Sequence, residues 1–203
     1  RKEMEQEMSK SDLPNIKIIA TGNGRVGKGA LEIIHALKLK EVTKEEFVTK
    51  SFNEPVFVHL NTIDYNARKD GSPSSKSDFY ANPKEYKSTF MQYAQHADIF
   101  IAGHFYASDS PYLFTREDAK SADFQIRTVA DVSCDIDGPV ASTIRPSTIA
   151  NPIYGYNPQT EQEDAFDKED VITVMAVDNL PCELPKDASE DFGNEMIQHI
   201  LPA

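Results

Sequence analysis

Short apolar runs recur along this chain, and most are followed by a stretch whose apolar residues return every three or four positions. Ile16–Ala20, Pro55–Leu60, Asp98–Ala102, Ile126–Val132 and Val171–Val177 read as strands, with a shorter one at Lys40–Thr43. Helical spacing follows at Val26–Leu37. Thr43-Lys-Glu-Glu46 and Thr115-Arg-Glu-Asp118 combine a hydroxyl cap with an acid three residues on, and each predicts a helix start. Asn82-Pro-Lys-Glu85 predicts a helix running to about His96, with Tyr86, Phe90, Tyr93 and Ala97 inward. Asp187-Ala-Ser-Glu190 caps a last helix reaching about Ile200. Met4 and Met8, one turn apart among charged residues, suggest a short helix at the start. Residues 64–82 read as a polar, mobile loop excursion, and 137–170 as loop-rich.

Strands alternating with helices imply a parallel sheet covered on both faces. The expected fold is therefore α/β: a Rossmann-like, doubly wound, mostly parallel six-stranded sheet with helices on both sides. In such a sheet ligands sit beyond the carboxyl ends of the strands. The first strand runs into Gly22-Asn-Gly24-Arg-Val-Gly27 and then directly into a helix. Gly22 permits a tight turn and Gly24 lets backbone approach a phosphate. Gly27 allows the helix to pack closely on the strand, while the helix N-terminus offers free N–H groups and the positive end of its dipole. Dinucleotide binding is the reading this order favours, with Arg25 and Val26 inside the loop. A glycine-rich turn that binds nothing is the alternative.

Polar residues gather at other strand ends too. Gly103 and His104 follow the fourth strand, and Asp131, Ser133, Asp135 and Asp137 follow the fifth. Asp178, Asn179 and Leu180 follow the sixth. Asp135 is the candidate for work beside a nicotinamide, because a carboxylate there orients substrate or balances a cationic ring. The alternative for these aspartates is a turn in which Asp bonds its own backbone. Glu45, eighteen residues beyond Gly27, stands where a ribose anchor is expected, although it and Glu46 also fit a helix start. Lys44 beside it is suited to a 2′-phosphate, so NAD and NADP both remain open. His104 reads either as a proton shuttle or as a packing residue.

Composition narrows the class. The 203 residues are 39% hydrophobic and 27% charged, ordinary values for a soluble domain. Against 21 basic residues stand 33 acidic ones, a net charge of −12, which disfavours a nucleic-acid surface or anionic lipid. The two cysteines, Cys134 and Cys182, have no metal-ligand spacing around them and read as buried or half-buried free thiols in a reducing compartment, with no metal expected. No apolar run is long enough to span a bilayer and no signal peptide is visible, so no membrane partner and a cytoplasmic location are expected. The missing initiator Met suggests a piece cut from something longer.

Three separated stretches carry a resemblance: Val129–Gly138, Ser147–Tyr154 and Val177–Phe192. They resemble the alanine dehydrogenase/pyridine nucleotide transhydrogenase superfamily, most closely its saccharopine dehydrogenase (lysine-forming)/lysine-ketoglutarate reductase branch. Asn82–Tyr86 through Leu113–Ala119 looks like that branch as well. The resemblance implies a two-domain enzyme of lysine metabolism. In it, residues 1–13 lead in from a missing N-terminal substrate domain, 14–180 form the NAD(P)-binding domain and 181–203 a C-terminal return helix. The implied reaction is reductive condensation of lysine with 2-oxoglutarate to saccharopine, or its reverse, with hydride passing at a C–N bond. The acid/base Lys and His of such enzymes belong to the preceding domain. On this basis Asp135 faces nicotinamide and substrate, and Asp178 and Asn179 belong to the segment closing over the cofactor. A homodimer is plausible for such enzymes. An alanine dehydrogenase-like enzyme and a non-catalytic dinucleotide-binding module are the alternatives. The second strand lacks the usual hydrophobic-Asp ending, which leaves ribose recognition open.

Overall fold

Helix α1 (Lys2–Met8) leads into strand β1 (Lys17–Thr21), whose residues alternate between two cores. Ile19 belongs to one hydrophobic cluster, and Ile18 and Ala20 to the other. A strand buried on both sides needs helices on both sides. In this computed structural model, which describes residues 2–201, α2 (Arg25–Ala36) covers one face with Ile34, and Leu31 packs against the same cluster. The other face is covered by α3 (Lys44–Thr49), through Phe47. Between these helices lies β2 (Lys40–Glu41), and β3 (Val56–Leu60) follows α3. The capping box expected at Thr43 is present, with Thr43 Oγ1 accepting from Glu46 N and a Glu46 carboxylate oxygen accepting from Thr43 N.

The polar stretch at 64–82 is built rather than loose. It holds β4 (Asn66–Arg68) and α4 (Lys76–Ala81), and β5 (Tyr86–Ser88) pairs antiparallel with β4. Arg68 binds Asp70 and Asp78, and the Tyr86 hydroxyl donates to Asp78 at 2.7 Å. This pairing also corrects the helix expected over 82–96. A single 3-10 turn (83–85) is followed by β5, and only Met91–Ala94, α5, is α-helical. Tyr86, Phe90, Tyr93 and Ala97 are nonetheless all buried, as the spacing required. Extended backbone at Tyr86 lets it reach Arg68 and Asp78, which outweighs continued helix.

Strand β6 (Ile99–Ala102), helix α6 (Arg116–Lys120, capped by Thr115 and Asp118) and β7 (Thr128–Asp131) follow. The loop-rich stretch before the last parallel strand contains a hairpin that sequence reading missed, β8 (Ile153–Asn157) with β9 (Gln162–Asp164). Tyr154 and Tyr156 anchor it in the core. Gly155 sits so close to the neighbouring chain that a Cβ there would lie 2.7 Å from the Ala165 carbonyl oxygen. Strand β10 (Ile172–Met175) and helix α7 (Pro185–His199) complete the order. Helix α7 begins at Pro185, which places Asp187 inside the first turn instead of at the cap.

The sheet has eight strands, not six, in the order β2-β3-β1-β6-β7-β10-β8-β9. The six expected strands are mutually parallel, and the hairpin extends one edge antiparallel to β10. Strand β1 lies between β3 and β6, so the chain runs outward from it in both directions. The crevice of such a sheet opens beyond the carboxyl ends of β1 and β6. Among the described residues no helix is long and apolar enough to cross a membrane. Cys134 is half-buried, whereas Cys182 is exposed, contrary to the expectation of two sheltered thiols.

Candidate functional site

Three glycines meet where β1 gives way to α2, and the contacts are between main chains. Gly22 has φ +101°, and a Cβ on it would lie 2.1 Å from the Gly103 carbonyl oxygen. A Cβ on Gly27 would lie 2.1 Å from the Gly22 carbonyl oxygen, and one on Gly103 would lie 3.0 Å from that of Thr21. Any side chain at 22 or 27 therefore forces backbone apart. Gly24 differs: it caps α2, no side chain bonds the helix end, and an added Cβ would meet nothing within 4 Å. The first-turn amides of α2 have no intrahelical acceptor, and the helix dipole is positive at this end. The residues thus fit a pyrophosphate cradle: a tight turn, close helix packing and open space over the amides. His59, on β3, holds the turn by donating from Nε2 to the Gly22 carbonyl at 2.7 Å. Sequence reading passed it over, although its place near the carboxyl end of a strand beside β1 was the available signal.

A cavity of about 500 Å³ opens over this loop. Of the expected residues, Gly22, Gly24, Val26, Gly103, Ser133 and Asp135 line it. Asp178 and Leu180 line a neighbouring hollow of about 530 Å³ that shares Val26 and Val132 with the first. Gly27 is buried behind the loop. Arg25, exposed on the first turn of α2, and Asn179, ahead of a 3-10 turn at 180–183, line neither space. Glu45 stands on α3, after the edge strand β2, and lines neither. The strand adjoining β1 is β3, so the ground beside the glycine loop belongs to the residues following β3. Lys44 is occupied by an ion pair with Asp64 and is absent from both linings.

The aspartates after β7 divide into three roles. Asp131 is fully buried and accepts from Ser133 Oγ at 2.5 Å, Cys134 N at 3.1 Å and Thr143 Oγ1 at 2.6 Å. It is the staple of the turn, as the backbone-bonding alternative supposed. Asp137 turns to Arg116, which donates to its carboxylate at 2.8 Å. Asp135 alone of the three lines the cavity, half-buried, and burial together with the nearby Asp131 charge pushes its carboxyl above the usual range. Gly138 makes this possible, because a Cβ there would lie 2.7 Å from Asp135 Cβ. Cys134, at φ +52°, ties the same turn to the end of β10 through Sγ to the Ala176 carbonyl.

His104 also lines the cavity but is 7% exposed, with Nδ1 2.9 Å from Thr21 Oγ1 and Nε2 enclosed without a protein partner. Burial lowers its pKa to about 4 against a smaller opposing pull from Asp131. At neutral pH it is an uncharged packing residue. The proton-shuttle alternative would need a group that titrates near neutrality.

Fold and loop together define an α/β protein of Rossmann-like architecture with a glycine cradle at the crevice of its sheet. No family model matches the chain. It is similar to alpha-aminoadipic semialdehyde synthase of Arabidopsis thaliana, 26% identical over 214 aligned positions that cover 93% of this chain and 20% of the relative. The mitochondrial alpha-aminoadipic semialdehyde synthase of Mus musculus is 25% identical over 91% of this chain and 22% of its own length. Saccharopine dehydrogenase [NAD(+), L-lysine-forming] of Neurospora crassa is 29% identical over 52% of this chain and 27% of its own. The chain thus spans about a fifth of the synthases it resembles.

Proposed function

We propose that this chain is the cofactor-binding part of an NAD(P)-dependent oxidoreductase acting at a C–N bond, of the saccharopine dehydrogenase/lysine-2-oxoglutarate reductase type. The observation that carries the reading is the main-chain stack of Gly22, Gly27 and Gly103 beneath the open N-terminus of α2. The names and coverage of the similar proteins support the substrate class, as do the Val129–Gly138 and Val177–Phe192 stretches that resemble the alanine dehydrogenase/pyridine nucleotide transhydrogenase superfamily.

When bound, the dinucleotide supplies a hydride donor or acceptor. The α2 amides hold its pyrophosphate. Asp135, its carboxyl raised but its contacts free for the cavity, orients substrate or balances positive charge there. Asp178 and Leu180 extend the wall toward the second hollow. The acid/base groups that move a proton at the substrate amine come from another part of a longer protein.

Oxidation of NADH or NADPH by a protein containing this chain, given lysine and 2-oxoglutarate, is the direct test. Substituting pyruvate and ammonia separates the alanine-type reaction. Turnover with neither pair would leave the non-catalytic dinucleotide-binding reading. Failure of the chain to quench or enhance the fluorescence of either cofactor would remove both.

A further inference from the structure

Strand β6 lies between β1 and β7, and Ala102 at its end pairs with Asp131 at the end of β7. The chain leaving β6 therefore faces the turn leaving β7 across one side of the cavity. His104, Phe105 and Tyr106 line that side from the first exit, and Val132, Ser133 and Asp135 from the second. Most polar groups there are already engaged. Ser133 Oγ donates to Asp131, and His104 meets Thr21 through Nδ1 with its Nε2 enclosed. Two groups are left over. Among the described residues no hydrogen bond reaches the Asp135 carboxyl or the Tyr106 hydroxyl.

Tyr106 is fastened to the turn that carries Asp135. Its ring meets Tyr112 edge-on at 6.1 Å, and the Tyr112 hydroxyl donates to the Asp137 carbonyl at 3.0 Å. The Gly138 amide closes the same turn onto the Asp135 carbonyl at 3.0 Å. Hydroxyl and carboxyl thus reach one wall of the cavity on a single framework. Their chemistry is complementary. Burial first, then the neighbouring Tyr112, Asp135 and Asp109, disfavours the Tyr106 phenolate, so the hydroxyl keeps its proton as a donor. Burial and the Asp131 charge disfavour the Asp135 anion, and an O–H bond donated to it favours that anion. The other ionisable groups in the lining are Lys76 and Tyr80, from beyond β3, and the neutral His104.

We propose that Tyr106 is a positioning residue for Asp135: its hydroxyl donates to the carboxylate and holds it toward the cavity. The proposal rests on reading the cavity as a hydride-transfer site, where a fixed anion meets the positive charge on ring or amine. Its test needs no cofactor. Carboxyl-carbon NMR titration of wild type and Tyr106→Phe reads the bond directly, with Asp135→Asn assigning the signal. Phe keeps the ring and its contact with Tyr112, and circular dichroism checks the fold. Losing the donor should raise the Asp135 pKa by about one pH unit. A purely structural Tyr106 would leave that titration where it is. An unmoved or lowered Asp135 pKa in Tyr106→Phe overturns the proposal and leaves the dinucleotide site standing. Failure of wild type to bind NADH or NADPH in a parallel fluorescence titration overturns the cofactor reading, while the NMR result still decides the Tyr106–Asp135 bond.

Discussion

Replacing His104 with Gln should remove a specific part of the acid sensitivity of the fold. Burial holds the His104 pKa at about 4, against 6.5 for a free imidazole. The unfolded chain therefore binds a proton between these values that the folded chain refuses. Stability should be undiminished above pH 6.5 and should fall as pH drops toward 4. Integrating that difference gives a loss of about 2 kcal/mol between pH 7 and pH 5, at 1.36 kcal/mol per pKa unit. The negative Asp131 nearby is already included as the smaller, opposing influence, and Tyr65, whose ring meets the imidazole edge-on, is uncharged throughout. Gln is similar in size, can still bond Thr21 Oγ1 and does not titrate. Urea denaturation of both proteins at several pH values gives the comparison. The variant should be less stable or equal at pH 7, and the gap should move in its favour by about 2 kcal/mol by pH 5. Parallel pH dependences in the two proteins would refute the buried, neutral assignment of His104.

Other substitutions probe the glycine stack and the turns around it. Gly27→Ala should leave a folded chain by circular dichroism but weaken NAD(P)H at least about tenfold in fluorescence titration, because its Cβ would drive α2 away from the Gly22 carbonyl. Asp131→Asn sets an amide against three donors in a buried site, and should cost about 2–4 kcal/mol in thermal or chemical unfolding. Asp135→Asn touches no such network, so melting temperature and cofactor affinity should hold, while any turnover measured with a protein containing this chain should fall. Arg68→Ala should loosen the excursion, seen as faster amide exchange over β4, α4 and β5, with the core of the sheet unchanged.

Periodicity carried the central fold because its strands are short apolar runs with cores on both faces, and α2, α3 and α6 each have an apolar stripe or a cap to declare them. It failed where pairing partners, not local pattern, decided the outcome. Tyr86 belongs to a strand because Arg68 and Asp78 are there to meet it, and nothing within residues 82–96 announces either. Tyr154-Gly-Tyr156 alternates as a strand should, yet its burial depends on β10, which comes after it in the chain. The site shows the same division. Gly22, Gly24 and Gly27 were legible because their roles are local to one turn. Asp131 and Asp135, four residues apart, shared one alternative reading as turn residues, and the structure separates the buried staple from the half-buried acid that lines the cavity.

Glu45 stands away from the cavity for a topological reason. Counting along the chain from Gly27 reaches Glu45, which assumes that the strand after α2 lies beside β1. Here β2 is only Lys40–Glu41 and pairs with β3 at the edge, while β3 takes the place next to β1. The second connection thus returns inward, and the residues that border the cradle come from beyond position 60 instead of near 45. A two-residue strand has too few hydrogen bonds to compete for the central place against the apolar Val56-Phe-Val-His-Leu60, whose register with Lys17–Thr21 is continuous over five pairs. Strand length and hydrophobicity therefore predicted the neighbour better than sequence distance did. The same criterion explains why Thr62 and Lys76, and not Lys44 or Glu45, line the cavity over the glycine loop.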